Sequence, residues 1–282
     1  MSSTPVPVTA AMIKELRERS GIGMGLCKKA LEDANGNMEL AITNLRKSGA
    51  ASAVKKEGRI TNEGIIGQAQ SDKAVALVEV NAETDFVVKN ERFKEFVQAI
   101  AEEIAKTSPA SLETFLQQKF SKEPSLTIDE YRATVIQSIG ENIQVKRFKV
   151  IPKKTDASIG VYSHLGGKMV TLVEIEGSNQ VQKLAEDIAM HVAAAAPEYV
   201  DLEQVPADVL EREKEIARTQ VKGKPDNIVE KIVESKLNSF YDTVCLVRQK
   251  YIRNDALKIE DLVKQNGQGL RLVGFERWSI TQ

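Results

Sequence analysis

Cysteine and histidine, the side chains that most often act as nucleophiles or metal ligands, are scarce in this sequence. Each occurs twice in 282 residues, as Cys27 and Cys245 and as His164 and His191. Metal sites and disulfide frameworks need several such residues at characteristic spacings, which four scattered positions cannot provide. General acid–base catalysis needs titratable groups clustered with carboxylates, and the sequence shows no such cluster. We therefore predict no metal, no cofactor and no enzymatic activity.

Three of these four residues leave alternatives open. Cys27 is followed by Lys28 and Lys29, whose positive charges favour a reactive thiolate, so a cysteine-dependent enzyme is one alternative. A cysteine at a helix-packing position is otherwise a small buried hydrophobe. His191 lies in an alanine-rich stretch, which indicates packing or hydrogen bonding. His164 ends a predicted strand, where contact with a partner is an alternative to a plain surface position.

Two glycine-containing motifs resemble phosphate-binding loops but lack residues that such loops require. In the stretch from Gly21 to Gly25 (GIGMG), a dinucleotide-binding loop would need a preceding strand and a glycine in place of Leu26. Gly223–Lys224 would need a hydroxyl residue in place of Pro225 to form a Walker loop. We predict that the chain has no phosphate-binding loop of its own.

The segment from Glu79 to Val87 (EVNAETDFV) places a carboxylate beside a large apolar ring just after a predicted strand. In one interpretation Phe86 completes the hydrophobic core and Asp85 caps the following helix. In the other, both side chains project from a loop and insert into a partner, since an aromatic residue next to a charge is typical of an interaction hot spot. The residues alone leave both interpretations open.

The overall composition favours a protein partner over a polyanion. Lys and Arg number 39 against 40 Asp and Glu, and aromatic residues make up 5% of the chain. Nucleic-acid binding needs clustered positive charge and, for single strands, stacking platforms. No run approaches the ~18 apolar residues of a membrane span, and residues 1–7 lack the features of an export signal. We expect a soluble cytoplasmic protein with no direct nucleic-acid partner and no membrane partner.

Apolar residues at helical spacing predict a small N-terminal domain of three helices between residues 9 and 47. Breaks are expected at Ser20–Gly23 and at Asn35–Asn37, where Asn37 is suited to cap the third helix. Residues 1–8 are predicted to be disordered. Residues 48–62 lack an apolar face and are predicted to be a linker.

The rest of the sequence predicts an α+β core that contains two related subdomains, residues 63–152 and 153–282. In each, two strands are followed by an amphipathic helix and later by a returning strand, which favours antiparallel sheets backed by helices. The first contains a helix from Thr127 to Ile139 that starts with a capping box. The second contains a helical hairpin at about residues 207–241, with its turn at Lys222–Pro225. This hairpin is either a recognition element or a solvated helix pair, and homodimerisation stays open.

Two separated motifs resemble the signatures of the elongation factor Ts family. The first motif is Leu16–Met24, which continues to Cys27–Leu31, and the second is Asn81–Val87. Gly140–Ile143 and Ile188–Ala194 give further support. The resemblance covers residues 9–280. It implies a UBA-like N-terminal domain and the function of a guanine-nucleotide exchange factor for the GTPase elongation factor Tu in translation elongation. A module that binds the GTPase without promoting exchange, in the manner of a chaperone, is the alternative.

The resemblance also implies roles for single residues. Asp85 and Phe86 would insert near the magnesium and phosphate site of the partner, with Thr84 and Val87 flanking them in the binding motif.

For the other regions, the resemblance implies that Arg17 and Met24 touch the nucleotide-binding domain of the partner. It places His164, in the second subdomain, near another domain of the partner.

Overall fold

The computed structural model describes residues 7–221 and 225–280. The chain divides into two compact units, Met1–Pro152 with Ile280–Gln282 and Lys153–Ser279. Residues 1–6 of the predicted disordered segment and residues 222–224 of the predicted hairpin turn lie outside the described residues. The predicted domain limits stay predictions. Among the described residues, no helix is both long and apolar enough to cross a membrane.

The first unit begins with the three predicted helices, α1 (Ala10–Ser20), α2 (Met24–Asp33) and α3 (Met38–Lys56). The side chain of Asn37 accepts a hydrogen bond from the backbone N–H of Leu40, as predicted for its capping role. A small core joins the three helices and consists mainly of Leu16, Ile22, Cys27, Leu31, Ala41 and Leu45.

Helix α3 continues to Lys56, into the segment that was predicted to be a linker. This part of the helix packs through small residues, since Gly49 lies against the helix Ile128–Ile139 (α7) and Ala53 is buried. The Gln137 side chain donates to the Ser48 hydroxyl at 2.6 Å. Because contact between closely packed helices uses small side chains, the segment has no recognisable apolar stripe in the sequence.

A three-stranded antiparallel sheet with the order β1-β2-β5 forms the rest of the first unit. Its elements are β1 (Glu63–Gln70), β2 (Ala74–Ala82), α4 (Asp85–Lys89), α5 (Glu91–Thr107), α6 (Leu112–Gln117), β3 (Lys119–Phe120), β4 (Glu123–Thr127), α7 and β5 (Ile143–Pro152). Every residue of the central strand β2 is buried, and α5 packs on β1 and β2. The predicted capping box is present, and α7 ends at Gly140 in the left-handed conformation.

The second unit repeats this topology with a sheet of order β10-β7-β6. Its elements are β6 (Ala157–His164), β7 (Met169–Glu176), α8 (Gln182–Ala195), α9 (Ala207–Thr219), α10 (Asp226–Val244), β8 (Lys250–Tyr251), β9 (Asn254–Lys258), α11 (Ile259–Asn266) and β10 (Arg271–Ser279). Helix α8 packs on β6 and β7, and α9 contacts α10 along the hairpin. The predicted α+β class, with helices against small antiparallel sheets, is confirmed.

The duplication extends to two short ribbons that the sequence analysis missed. In β3–β4, Lys119 pairs with Thr127, and in β8–β9, Lys250 pairs with Lys258. Each ribbon leads directly into a helix, α7 or α11. Strands β3 and β8 have two residues each, and the five residues of β4 and of β9 do not alternate in burial, so neither ribbon has a readable periodicity in the sequence.

A buried polar side chain ties each ribbon to the main helix of its unit. In the first unit this residue is Glu103 on α5, which is 4% exposed. Its Oε1 accepts hydrogen bonds from Gln118 Nε2 at 3.2 Å and from the backbone N–H of Ser121 at 3.4 Å. The carboxylate thereby binds the residues on both sides of β3.

His191 on α8 occupies the corresponding place in the second unit. Its Nε2 lies 2.9 Å from Gln249 Oε1, and its Nδ1 accepts the backbone N–H of Ile252 at 3.3 Å. Because Nδ1 accepts, the hydrogen of the neutral ring is assigned to Nε2, which donates to Gln249. The role indicated by the sequence, a packed and hydrogen-bonded histidine, is confirmed.

We expect the stability of the protein to fall as the pH falls below about 6.5, because the unfolded chain then binds a proton at His191 that the folded chain resists. Burial of the ring lowers the pKa of His191 in the folded state. One such group contributes at most about 1.4 kcal/mol per pH unit. Urea unfolding at about pH 7.5 and about pH 5.5 measures the loss, which should be smaller in His191→Gln. Equal losses in the two proteins would contradict this assignment.

Candidate functional site

The turn after β2 presents Phe86 to solvent. Thr84, rather than Asp85, is the N-cap of α4, and its hydroxyl accepts the backbone N–H of Val87 at 3.4 Å. Phe86 is 80% exposed, whereas Val87 and Val88 are buried. The interpretation in which Phe86 completes the core and Asp85 caps the helix is therefore wrong, because the two valines and Thr84 fill those roles.

Asp85 is paired within the turn. Its Oδ2 lies 2.7 Å from Lys89 Nζ, and Lys89 Nζ also lies 6.0 Å from the centre of the Phe86 ring. The hydrogen bond and the charge of Asp85 raise the pKa of Lys89. The pair is of the i, i+4 type and is exposed to solvent, and such pairs contribute little to stability.

Glu141, which the sequence analysis named only as part of a motif, supports the turn from a distant loop. It accepts two hydrogen bonds from Thr84, one from the backbone N–H at 3.1 Å and one from the hydroxyl at 2.8 Å. Thr84 is half-buried and forms hydrogen bonds both to Glu141 and to the backbone of Val87, whose side chain is buried. The roles predicted for Thr84 and Val87 in binding stay predictions.

Arg17 and Met24 lie on the exposed surface of α1 and α2, and Met24 is 53% exposed. The link between these helices docks onto α5, because the guanidinium of Arg92 donates to the carbonyls of Gly21 at 2.9 Å and Ser20 at 3.0 Å. Gly21 has φ +65°, and a Cβ there would lie 1.6 Å from Arg92 Nη1. Glycine suits the left-handed backbone, and a side chain here would have to displace the Arg92 guanidinium from these carbonyls. Arg92 therefore joins the helices that carry Arg17 and Met24 to the element that follows the Phe86 turn.

A cavity of about 500 Å³ lies beside this docking contact. Arg19 is paired with Glu39 at 2.8 Å and Arg46 with Glu123 at 3.0 Å. Both arginines line the cavity, and each is already paired with a carboxylate of this chain. We assign the cavity to the docking of the N-terminal helices.

His164 lies at the end of β6 in the second unit and is exposed. The Tyr162 hydroxyl lies 3.2 Å from its Nδ1, and the two rings stack. Leu165, which the sequence analysis missed, follows with φ +50° and is 73% exposed. An exposed leucine in a left-handed conformation is uncommon and marks this turn as a second candidate contact surface. The predicted contact of His164 stays a prediction.

Both cysteines are buried as free thiols. Cys27 is 0% exposed and its Sγ lies 3.3 Å from the carbonyl of Ile22, to which the thiol donates. Burial raises the pKa of Cys245 to about 11. Within residues 7–221 and 225–280, no three His, Cys, Asp or Glu side chains come together as a metal site. The geometry favours the packing role of Cys27 over catalysis.

The sequence has clear relatives. A family model described as "Elongation factor TS" matches residues 83–282. A protein named Elongation factor Ts from Protochlamydia amoebophila (strain UWE25) is 63% identical over 279 residues, which cover 98% of this chain and 99% of that protein. Proteins of the same name from Chlamydia pneumoniae and Chlamydia caviae are 44% and 43% identical over 272 residues, covering 95% of this chain and 96% of each relative.

We expect Phe86→Ala to leave the free energy of unfolding within about 0.5 kcal/mol of the original protein, because the ring is exposed. Val87→Ala, one residue away but buried, should lower it by about 1–3 kcal/mol through the cavity that it creates. Chemical denaturation of the two variants measures both values. A large loss for Phe86→Ala would show that the ring packs against its own chain.

Proposed function

The chain belongs to the elongation factor Ts family, and we propose that it binds elongation factor Tu in the GDP-bound state and promotes release of GDP. Elongation factors of this family serve protein biosynthesis, and GTP would rebind to the emptied partner. The observation that carries the proposal is the 80% exposure of Phe86 within the Thr84–Val87 motif of the family. A large apolar side chain kept out of the core is suited to contact another protein.

In this proposal Phe86 acts as a wedge. Burial of a phenylalanine side chain contributes about 1.5–3 kcal/mol. Pressed between helices of the partner, the ring would shift elements that hold the nucleotide. No covalent step is needed, which agrees with the two buried thiols.

Asp85 would add negative charge near the magnesium and phosphate site of the partner. A carboxylate placed there competes with the diphosphate for the positive charge of the ion, and a weakened metal site holds GDP less tightly. Since the pair with Lys89 is exposed, this pair opposes a movement of Asp85 toward the partner only weakly.

Exchange follows from reciprocal binding. A protein that prefers the nucleotide-free partner must lower the affinity of the partner for nucleotide by the same factor by which nucleotide lowers the affinity for this protein. In this proposal the lower affinity is expressed as faster release of GDP, and GTP displaces the exchange factor when it binds.

We propose further contacts with the partner in other parts of the chain. Arg17 and Met24 would touch the nucleotide-binding domain of the partner, and His164 would contact a different domain. Thr84 and Val87 would flank the wedge in the binding motif. We also place the protein in the cytoplasm, where translation elongation takes place.

We expect Phe86→Ala to slow the release of fluorescent GDP from elongation factor Tu by at least about tenfold, since hot-spot residues contribute about 2 kcal/mol or more. Asp85→Ala should slow it by about three- to tenfold, because it removes one charge. Rates are compared at concentrations that saturate binding.

Ile252→Ala is the matched control, because Ile252 is also an exposed apolar residue and keeps its backbone hydrogen bond to His191. It should release GDP at the original rate. Original rates in both turn variants would refute the wedge. Binding without any acceleration by the unmodified protein would instead favour the chaperone-like alternative.

We expect Cys27→Ser to retain its exchange activity within about twofold, because a serine hydroxyl can donate to the Ile22 carbonyl as the thiol does. The same fluorescent-GDP measurement tests this. Loss of activity in a Cys27→Ser protein that is still folded by circular dichroism would support the cysteine-dependent alternative.

A further inference from the structure

Two loops that are distant in the sequence are tied together crosswise at the base of the Phe86 turn. The Glu141 side chain accepts two hydrogen bonds from Thr84, as described above. In the opposite direction, Glu83 Oε1 accepts the backbone N–H of Asn142 at 2.6 Å. Each loop therefore gives a carboxylate to the backbone of the other. We call these four residues the carboxylate clamp.

The clamp is anchored to the chain that follows α3. The Asn142 side chain is fully buried, and its Nδ2 donates to the carbonyls of Glu57 at 3.2 Å and Arg59 at 3.0 Å. Arg59 Nη1 also lies 3.3 Å from Glu83 Oε1. The Phe86 turn is thus joined through the clamp to the segment between α3 and β1.

Glu141 determines how the Thr84 hydroxyl is used. The hydroxyl has one hydrogen, which it donates to Glu141, so that its lone pairs are free to accept the N–H of Val87. A helix of five residues such as α4 is far too short to be stable by itself. The cap and the clamp that orients it must therefore fix the backbone that carries Phe86.

We propose that Glu141 is a positioning residue for nucleotide exchange, which holds the Asp85–Phe86 turn in the shape that binds the partner. This rests on the proposed function. The Phe86 ring is exposed, so packing within its own chain contributes little to fixing it. A turn that is ordered before binding avoids the entropy cost of ordering it in the complex.

Glu141→Gln is the direct test, because it keeps the size of the side chain but replaces one acceptor oxygen by an NH₂ group. If only a fraction of the molecules then have the correct turn, the apparent dissociation constant rises by the inverse of that fraction. We expect the concentration for half-maximal GDP release from elongation factor Tu to rise about three- to tenfold. The rate at saturation should stay within about twofold.

Glu130→Gln is the matched control. Glu130 also accepts the backbone N–H of a threonine, Thr127, at 2.7 Å within a capping box of the same unit, but lies outside the clamp. It should leave the half-maximal concentration unchanged. In a Phe86→Ala background, Glu141→Gln should raise the half-maximal concentration by a smaller factor, because only Asp85 is still positioned, whereas the effect of general destabilisation would be undiminished there.

Hydrogen exchange of the Val87 and Val88 amides tests the clamp without any partner. It should be at least about fivefold faster in Glu141→Gln, and unchanged in Glu130→Gln. Thr84→Val, which lacks the hydroxyl, should give the same result if Glu141→Gln does not fold. Unchanged amide exchange, or an unchanged half-maximal concentration in an active protein, would overturn the proposal. If the unmodified protein never accelerates GDP release, the proposed function and the role of Glu141 in exchange fail, and the amide exchange then decides only whether Glu141 holds the turn.

Discussion

An exposed phenylalanine can be fixed in space only by the backbone that carries it, and this constraint organises the structure around residues 82–90. Helix α4 spans only Asp85–Lys89 and begins directly after the buried strand β2. Asn90 ends it and is also the N-cap of α5, which packs against β1 and β2. Val87 and Val88 are buried beneath the turn. The exposed ring thus stands on a short segment that is held at both ends and from below.

The duplicated sheet shows why only one copy carries this turn. In the first unit, residues 83–90 connect the central strand to the main helix and leave room for α4. In the second unit the corresponding connection is residues 177–181, and Gly177 has φ +99° with no space for a Cβ beside the Gly269 carbonyl. There an exposed apolar residue, Leu165, lies in a different connection, the one between β6 and β7. The same scaffold therefore exposes a large apolar side chain at different connections in its two copies.

Local signals in the sequence predicted the helix caps, whereas the support and the orientation of the Phe86 turn depend on long-range contacts. The capping box at Thr127 and the cap at Asn37 involve residues three positions apart, so they are visible in the sequence. Thr84 and Glu141 are 57 positions apart, and no local pattern predicts that they meet. Whether Phe86 faces the core or the solvent was equally undecided, because it depends on which neighbours the sheet leaves uncovered.

The extension of α3 to Lys56 is another consequence of long-range packing. Helix propensity and periodicity are weak there, since the residues are small, and tertiary contact with α7 decides the conformation. This helix leads to Glu57 and Arg59, whose carbonyls hold Asn142. The segment predicted to be a linker thus contributes to the support of the turn.

The pair of Asp85 and Lys89 bears on the order of events in the proposed exchange. While the two side chains are paired, the positive charge of Lys89 offsets the negative charge of Asp85, so the long-range attraction of the pair to a metal ion is weak and is screened beyond about 8 Å at physiological salt. Contact of the Phe86 ring, which needs no charge, would then precede any action of the carboxylate. The Lys89 ammonium lies near both the Asp85 carboxylate and the Phe86 ring. Displacement of Lys89 by the partner would uncover the negative charge only after the ring has docked, which directs the charge to the correct site.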